Sequence, residues 1–113
     1  MARRNVKALQ KVFNFPLNGN NYKINLKIEH YQENGNIALE AYHHGEDFAT
    51  LSVNIPGALS KKKGQDHIVL DTNNFQLSSF APLFEQGVLI PAGSNVSSGF
   101  CTYPICKVDL KQI

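Results

Sequence analysis

Three stretches of alternating residues constrain this chain more than anything else in it. From Tyr22 to Tyr31, Tyr22, Ile24, Leu26 and Ile28 fall on one face, and Lys23, Asn25, Lys27 and Glu29 fall on the other. That period of two is the signature of a strand with one wet side. Ile37 to His43 repeats it, with Ile37, Leu39 and Ala41 inward and Glu40 and Tyr42 outward. So does Phe48 to Ile55, where Ala49, Leu51, Val53 and Ile55 alternate with Thr50, Ser52 and Asn54. Gln32-Glu33-Asn34-Gly35-Asn36 contains Asn-Gly, a strong hairpin signal, and His44-Gly45-Glu46-Asp47 supplies the second turn. The expectation is an antiparallel meander.

Around it the chain is punctuated by turn chemistry. Val12 to Phe15 suggests a short first strand stopping at Pro16, and Asn18 to Asn21 is a turn by composition. Pro56-Gly57 ends the meander, and Ala58 to Asp66 reads as an exposed loop. His67 to Leu70 is a short apolar strand that runs into Asp71, Thr72, Asn73 and Asn74. These four can each bond nearby backbone and fix a corner. Ser78 or Ser79 is the expected N-cap of a two-turn helix over Phe80 to Gln86, with Gly87 closing it. Pro91 to Ser94 reads as a loop. Phe100 to Leu110 reads as a last strand, on an edge or bulged because Pro104 interrupts it. The fold class expected is α+β: a twisted antiparallel sheet of five or six strands with one short helix packed on it. Residues 12–113 form the single domain and 1–11 a basic arm.

The 113 residues suit one domain, which at this size buries roughly 65% of its unfolded surface without metal or disulfide staples. With no Trp and one Met, the seven Phe and four Tyr must supply much of the core. No apolar run approaches the ~20 residues of a membrane helix, and no apolar stretch follows the basic start as in a secretory signal. Cys101 and Cys106 lie roughly 16 Å apart on opposite faces of an extended strand, beyond disulfide reach. Reduced thiols and a cytoplasmic location follow. The net charge of +2 is segregated. Arg3, Arg4, Lys7 and Lys11 sit in the arm and Lys61, Lys62 and Lys63 in one loop, leaving a body with four basic residues against nine acidic ones.

Four constellations could carry chemistry. His43-His44 with Glu46 and Asp47 suggests a metal, but neighbours on a strand point to opposite faces and zinc needs three or four converging ligands. Cys101 or Cys106 with His67 and Asp71 would make a thiol nucleophile set, without the local setting that lowers a thiol pKa. Asp71 to Asn74 lacks the spaced carboxylates and glycine of a calcium loop. It is read as a structural corner or a binding loop. The seven arm and loop cations could contact phosphates, with Tyr31, Tyr42 or Tyr103 as stacking aromatics, although the acidic body opposes a long duplex. No metal, cofactor or catalytic residue is expected.

Three segments together carry a family resemblance: Leu51-Ser52-Val53-Asn54-Ile55-Pro56-Gly57, Leu70-Asp71-Thr72-Asn73-Asn74 and Ser98-Gly99-Phe100-Cys101-Thr102-Tyr103-Pro104. They resemble an uncharacterised domain-of-unknown-function family of small proteins from phages and conjugative elements of Gram-positive bacteria. The resemblance covers about Tyr22 to Leu110 and brings no established activity. It implies a mobile-element accessory protein. The expected function is therefore non-enzymatic binding by protein–protein contact to a host or element-encoded protein, with inhibition of a host defence component as one form. The alternative is a nucleic-acid-binding accessory protein using Arg3, Arg4, Lys7, Lys11, Lys61, Lys62 and Lys63.

Overall fold

The structure, a computed structural model, describes residues 11–113. Eight strands and one short helix follow in order: β1 (Phe13–Leu17), β2 (Asn20–His30), β3 (Ile37–His43), β4 (Glu46–Thr50), β5 (Ser52–Val53), β6 (His67–Leu70), α1 (Ala81–Glu85), β7 (Leu89–Ser98) and β8 (Cys101–Val108). They do not form one sheet of five or six strands. Two four-stranded antiparallel sheets form instead, in the orders β1-β2-β3-β4 and β5-β6-β8-β7.

The division falls inside the third alternating stretch. Ala49 still pairs with Ala41 in the first sheet, whereas Ser52 pairs with Leu70 in the second. Leu51 is the hinge between them. Its N–H donates to Leu39 O at 2.8 Å and its carbonyl accepts from Asp71 N at 3.0 Å, so one buried residue bonds to both sheets. Ser52, expected to face outward, is buried there and accepts from Leu39 N at 3.1 Å.

Turn chemistry fixes the hairpins. Asn18 and Gly19, with φ of 51° and 82°, join Leu17 to Asn20, and His44 and Gly45, at 54° and 80°, join His43 to Glu46. Two successive positive φ values in a two-residue loop make both type I′. The Asn34-Gly35 hairpin is longer: Tyr31 N donates to Asn36 O at 2.9 Å, which leaves residues 32–35 as the loop.

The main core lies between the sheets. Phe15 is its centre, with the rings of Phe48, Phe75 and Phe80 edge-on at 5.9, 5.5 and 5.6 Å. β1 continues through Pro16 to Leu17, which an edge strand tolerates. A smaller cluster of Val69, Tyr103 and Ile105, covered by Val53, Ile55 and Leu59, occupies the other face of the second sheet.

The second half differs most from expectation. A 3-10 turn over Leu77–Phe80 precedes α1, and neither Ser78 nor Ser79 caps it; Phe80 holds the N-cap position with no side-chain bond. Pro91 to Ser94 is not a loop but part of β7. Pro91 pairs with Cys106 and Ser94 with Ile105, so Ala92 and Gly93 bulge out, with Gly93 at φ +78°. β8 is interior rather than an edge. Pro104 fits because the β6 pairing ends at Ile105, one residue short of it.

Candidate functional site

At one end of the molecule, the β2–β3 connection and the segment after β5 form a shallow groove of about 550 Å³. It is lined by Tyr31, Glu33 and Asn34 on one side and Asn54, Pro56 and Gly57 on the other. Pro56 and Gly57 are the central residues of a turn closed by Ala58 N to Ile55 O at 3.1 Å, with Gly57 at φ +78°. Proline followed by a positive φ is the type II pattern. Both walls are tied together. Tyr31 Oη and Ser52 Oγ share a hydrogen bond of 2.8 Å, and Asn34 Nδ2 donates to Asn54 Oδ1 at 2.9 Å. Asn34 Oδ1 in turn accepts from Asn36 N at 3.0 Å. Burial, partly offset by the Ser52 bond, pushes the Tyr31 phenol above its ordinary value. The groove offers an aromatic face, a carboxylate and amide groups already held in place.

The lysine loop stands against this end. Lys61, Lys62 and Lys63 are exposed, and Lys63 opens a 3-10 turn over Lys63–Gln65. Gly64 is buried on Asn36, so close that a Cβ there would overlap the Asn36 side chain. Gln65 Nε2 reaches Gly35 O at 3.4 Å. The loop is therefore exposed at its cations but anchored at Gly64. Lys11 Nζ donates to Lys111 O at 3.4 Å. Arg3, Arg4 and Lys7, with the rest of the basic arm apart from Lys11, lie outside the described residues.

Asp71 is buried at the end of β6, with its Oδ1 accepting from Asn74 N at 3.2 Å and Oδ2 from Asn74 Nδ2 at 2.7 Å. Thr72 N donates to Leu70 O at 2.9 Å. Asn73 plays a different part, accepting from Cys101 Sγ at 3.3 Å. Asp71 and Asn74 thus meet each other, and the exposed edge is Asn73 and Asn74.

The thiol set is not assembled. His67 Nδ1 meets Asp66 Oδ1 at 2.6 Å, at the opposite end of β6 from Asp71. They are four positions apart, about 13 Å along a strand. Cys106 is buried in the main core, and burial pushes its thiol up to about 11. Both cysteines are free. His43 and His44 do come together, contrary to the expectation from strand alternation: the left-handed His44 brings the rings to 4.0 Å. His43 Nδ1 is taken by Lys23 O at 2.8 Å. Among the described residues no three His, Cys, Asp or Glu side chains converge on a metal position. Of the aromatics expected to be exposed, Tyr103 is buried and Tyr31 and Tyr42 are half-buried.

The groove itself was not visible in the sequence. Its only signal is the odd parity of Tyr31, which put an aromatic on the wet face of β2's alternation.

The fold defines a mainly β domain of two antiparallel sheets with one short helix. The chain belongs to the family described as a domain of unknown function (DUF4313), matched over residues 25–113, from within β2 to the end. No curated protein and no solved structure matches it. No described helix is long and apolar enough to cross a membrane.

Proposed function

We propose that the chain is a non-enzymatic binding protein that contacts another protein through the Tyr31–Gly57 groove. The observation that carries this is the cross-bonded wall: Tyr31 to Ser52 and Asn34 to Asn54 hold an aromatic, two amides and a Pro-Gly turn in one fixed arrangement. Such preorganisation lowers the ordering cost of association, and tyrosine is enriched where interfaces are tight. Asn54, Pro56 and Gly57 belong to the first segment of the family resemblance. That resemblance supports a mobile-element setting, with a host or element-encoded protein as partner and a host defence component among those to be tried. A cytoplasmic location belongs to the same proposal.

The exposed Lys61, Lys62 and Lys63 favour a second reading, nucleic-acid binding. Capture from a nuclease-treated host lysate separates the two. Protein contact predicts a partner that is retained by K61E/K62E/K63E and lost with E33R/N34K, whose altered residues are exposed. A partner that disappears with nuclease, or with the lysine variant alone, sinks the first reading.

A further inference from the structure

Six of the seven Phe residues pack in the main core; Phe100 is fully exposed at the tip of the β7–β8 ribbon. Gly99 and Phe100 form its two-residue turn between the paired Ser98 and Cys101, with Gly99 at φ +61° and Phe100 outside the positive-φ region. That is the type II′ pattern, whose second position does not call for an aromatic. Among the described residues the Phe100 ring has nothing to pack on.

The stretch leading to it, Ser94 to Ser98, is equally unguarded. β7 ends the order β5-β6-β8-β7, and its ten residues carry no charge. The sheet edges carry features that discourage pairing: Pro16 in β1, Glu46 and Asp47 in β4, and a length of two residues in β5. Pro91 with the Ala92–Gly93 bulge does the same in the first half of β7, which leaves Ser94 to Ser98 as the open stretch. A two-residue hairpin closes on a hydrogen-bonded pair, here Ser98 and Cys101. By alternation Val96 and Ser94 also direct their backbone groups to β8, which leaves those of Asn95 and Ser97 aimed at the open edge.

We infer that β7 pairs antiparallel with β7 of a second copy of this chain, about a two-fold axis at Val96. This register sets Asn95 against Ser97 as the hydrogen-bonded pairs and Ser94 against Ser98 as the closer, non-bonded ones. It satisfies the outward backbone groups of both copies at once, as a self-complementary contact requires. It also carries Phe100 of each copy past Ser94 to the Ala92–Gly93 bulge of the other. A hollow of about 350 Å³ lies there, lined by Leu77, Phe84, Pro91, Pro104 and Ile105 among others. Leu77 is itself exposed and apolar. The ring and the hollow are thus supplied by the same chain.

Sedimentation equilibrium of the purified protein over a concentration series tests this without any other partner. The wild type forms a reversible dimer. S94K/S98K sets lysine against lysine twice and weakens dimerisation about tenfold or more. S94E/S98K sets opposite charges in the same places and restores it. Phe100→Ser, at an exposed turn position, also weakens it and covers the case in which a double variant fails to fold. A wild type that stays monomeric throughout overturns the inference, as does equal behaviour of the two charge variants or an unaffected Phe100→Ser dimer.

Discussion

Asp71 commits both carboxylate oxygens to Asn74, and its N–H to Leu51 O, at the point where β6 leaves the second sheet. Each of Asp71→Ala and Asn74→Ala removes a bonded partner from this corner and costs on the order of 1–2 kcal/mol in urea unfolding. Asn73→Ala, whose side chain meets only the Cys101 thiol, stays within about 0.5 kcal/mol. A second residue-scale consequence concerns pH. Cys106 is held protonated by burial, up to about 11, against an ordinary value of 9.0, and the Tyr31 phenol is displaced in the same direction. The unfolded chain therefore releases these protons first. The Cys106 contribution is intact below about pH 9 and is lost as pH rises towards 11, and that of Tyr31 also falls as pH rises. Thermal melts should show that alkaline fall, and Cys106→Ala should make it shallower.

At the scale of elements, alternation placed β2 and β3 within two residues of their ends because each has one face on the core and one in water. It could not show where β4 stops and β5 begins. In the sequence the alternation runs on unbroken from Ala49 to Ile55, whereas in the structure Leu51 joins the main core and Val53 and Ile55 cover the smaller cluster on the other face of the second sheet. β7 was hidden for the opposite reason. Pro91 and Gly93 are turn residues in most settings, and here they build a bulge within a strand. The corner at Asp71 to Asn74 was legible in its residue types, though not in which asparagine bonds the carboxylate. The lysine loop was legible as exposed but not as anchored. Gly64→Ala tests the anchor: a methyl group would strike Asn36, costing about 1–3 kcal/mol as overpacking does and loosening the link to the β2–β3 hairpin. Melting temperature and amide exchange at Gly35 to Ile37 would register it.

For the molecule as a whole, the two sheets leave two separate surfaces. One is the groove between the β2–β3 connection and the Pro56-Gly57 turn, with the lysines at its side. The other is the ribbon that ends in Phe100, whose pairing concerns only copies of the same chain. Neither depends on a catalytic group, and the polar atoms that tie the groove walls together are bonded within the fold before any partner arrives. The most direct test of the account is hydrogen–deuterium exchange of the chain, free and bound to its captured protein partner. Protection on binding should be greatest at residues 31–36 and 54–57. Protection confined to residues 61–63 and the N-terminal arm, with the groove unchanged, would contradict it.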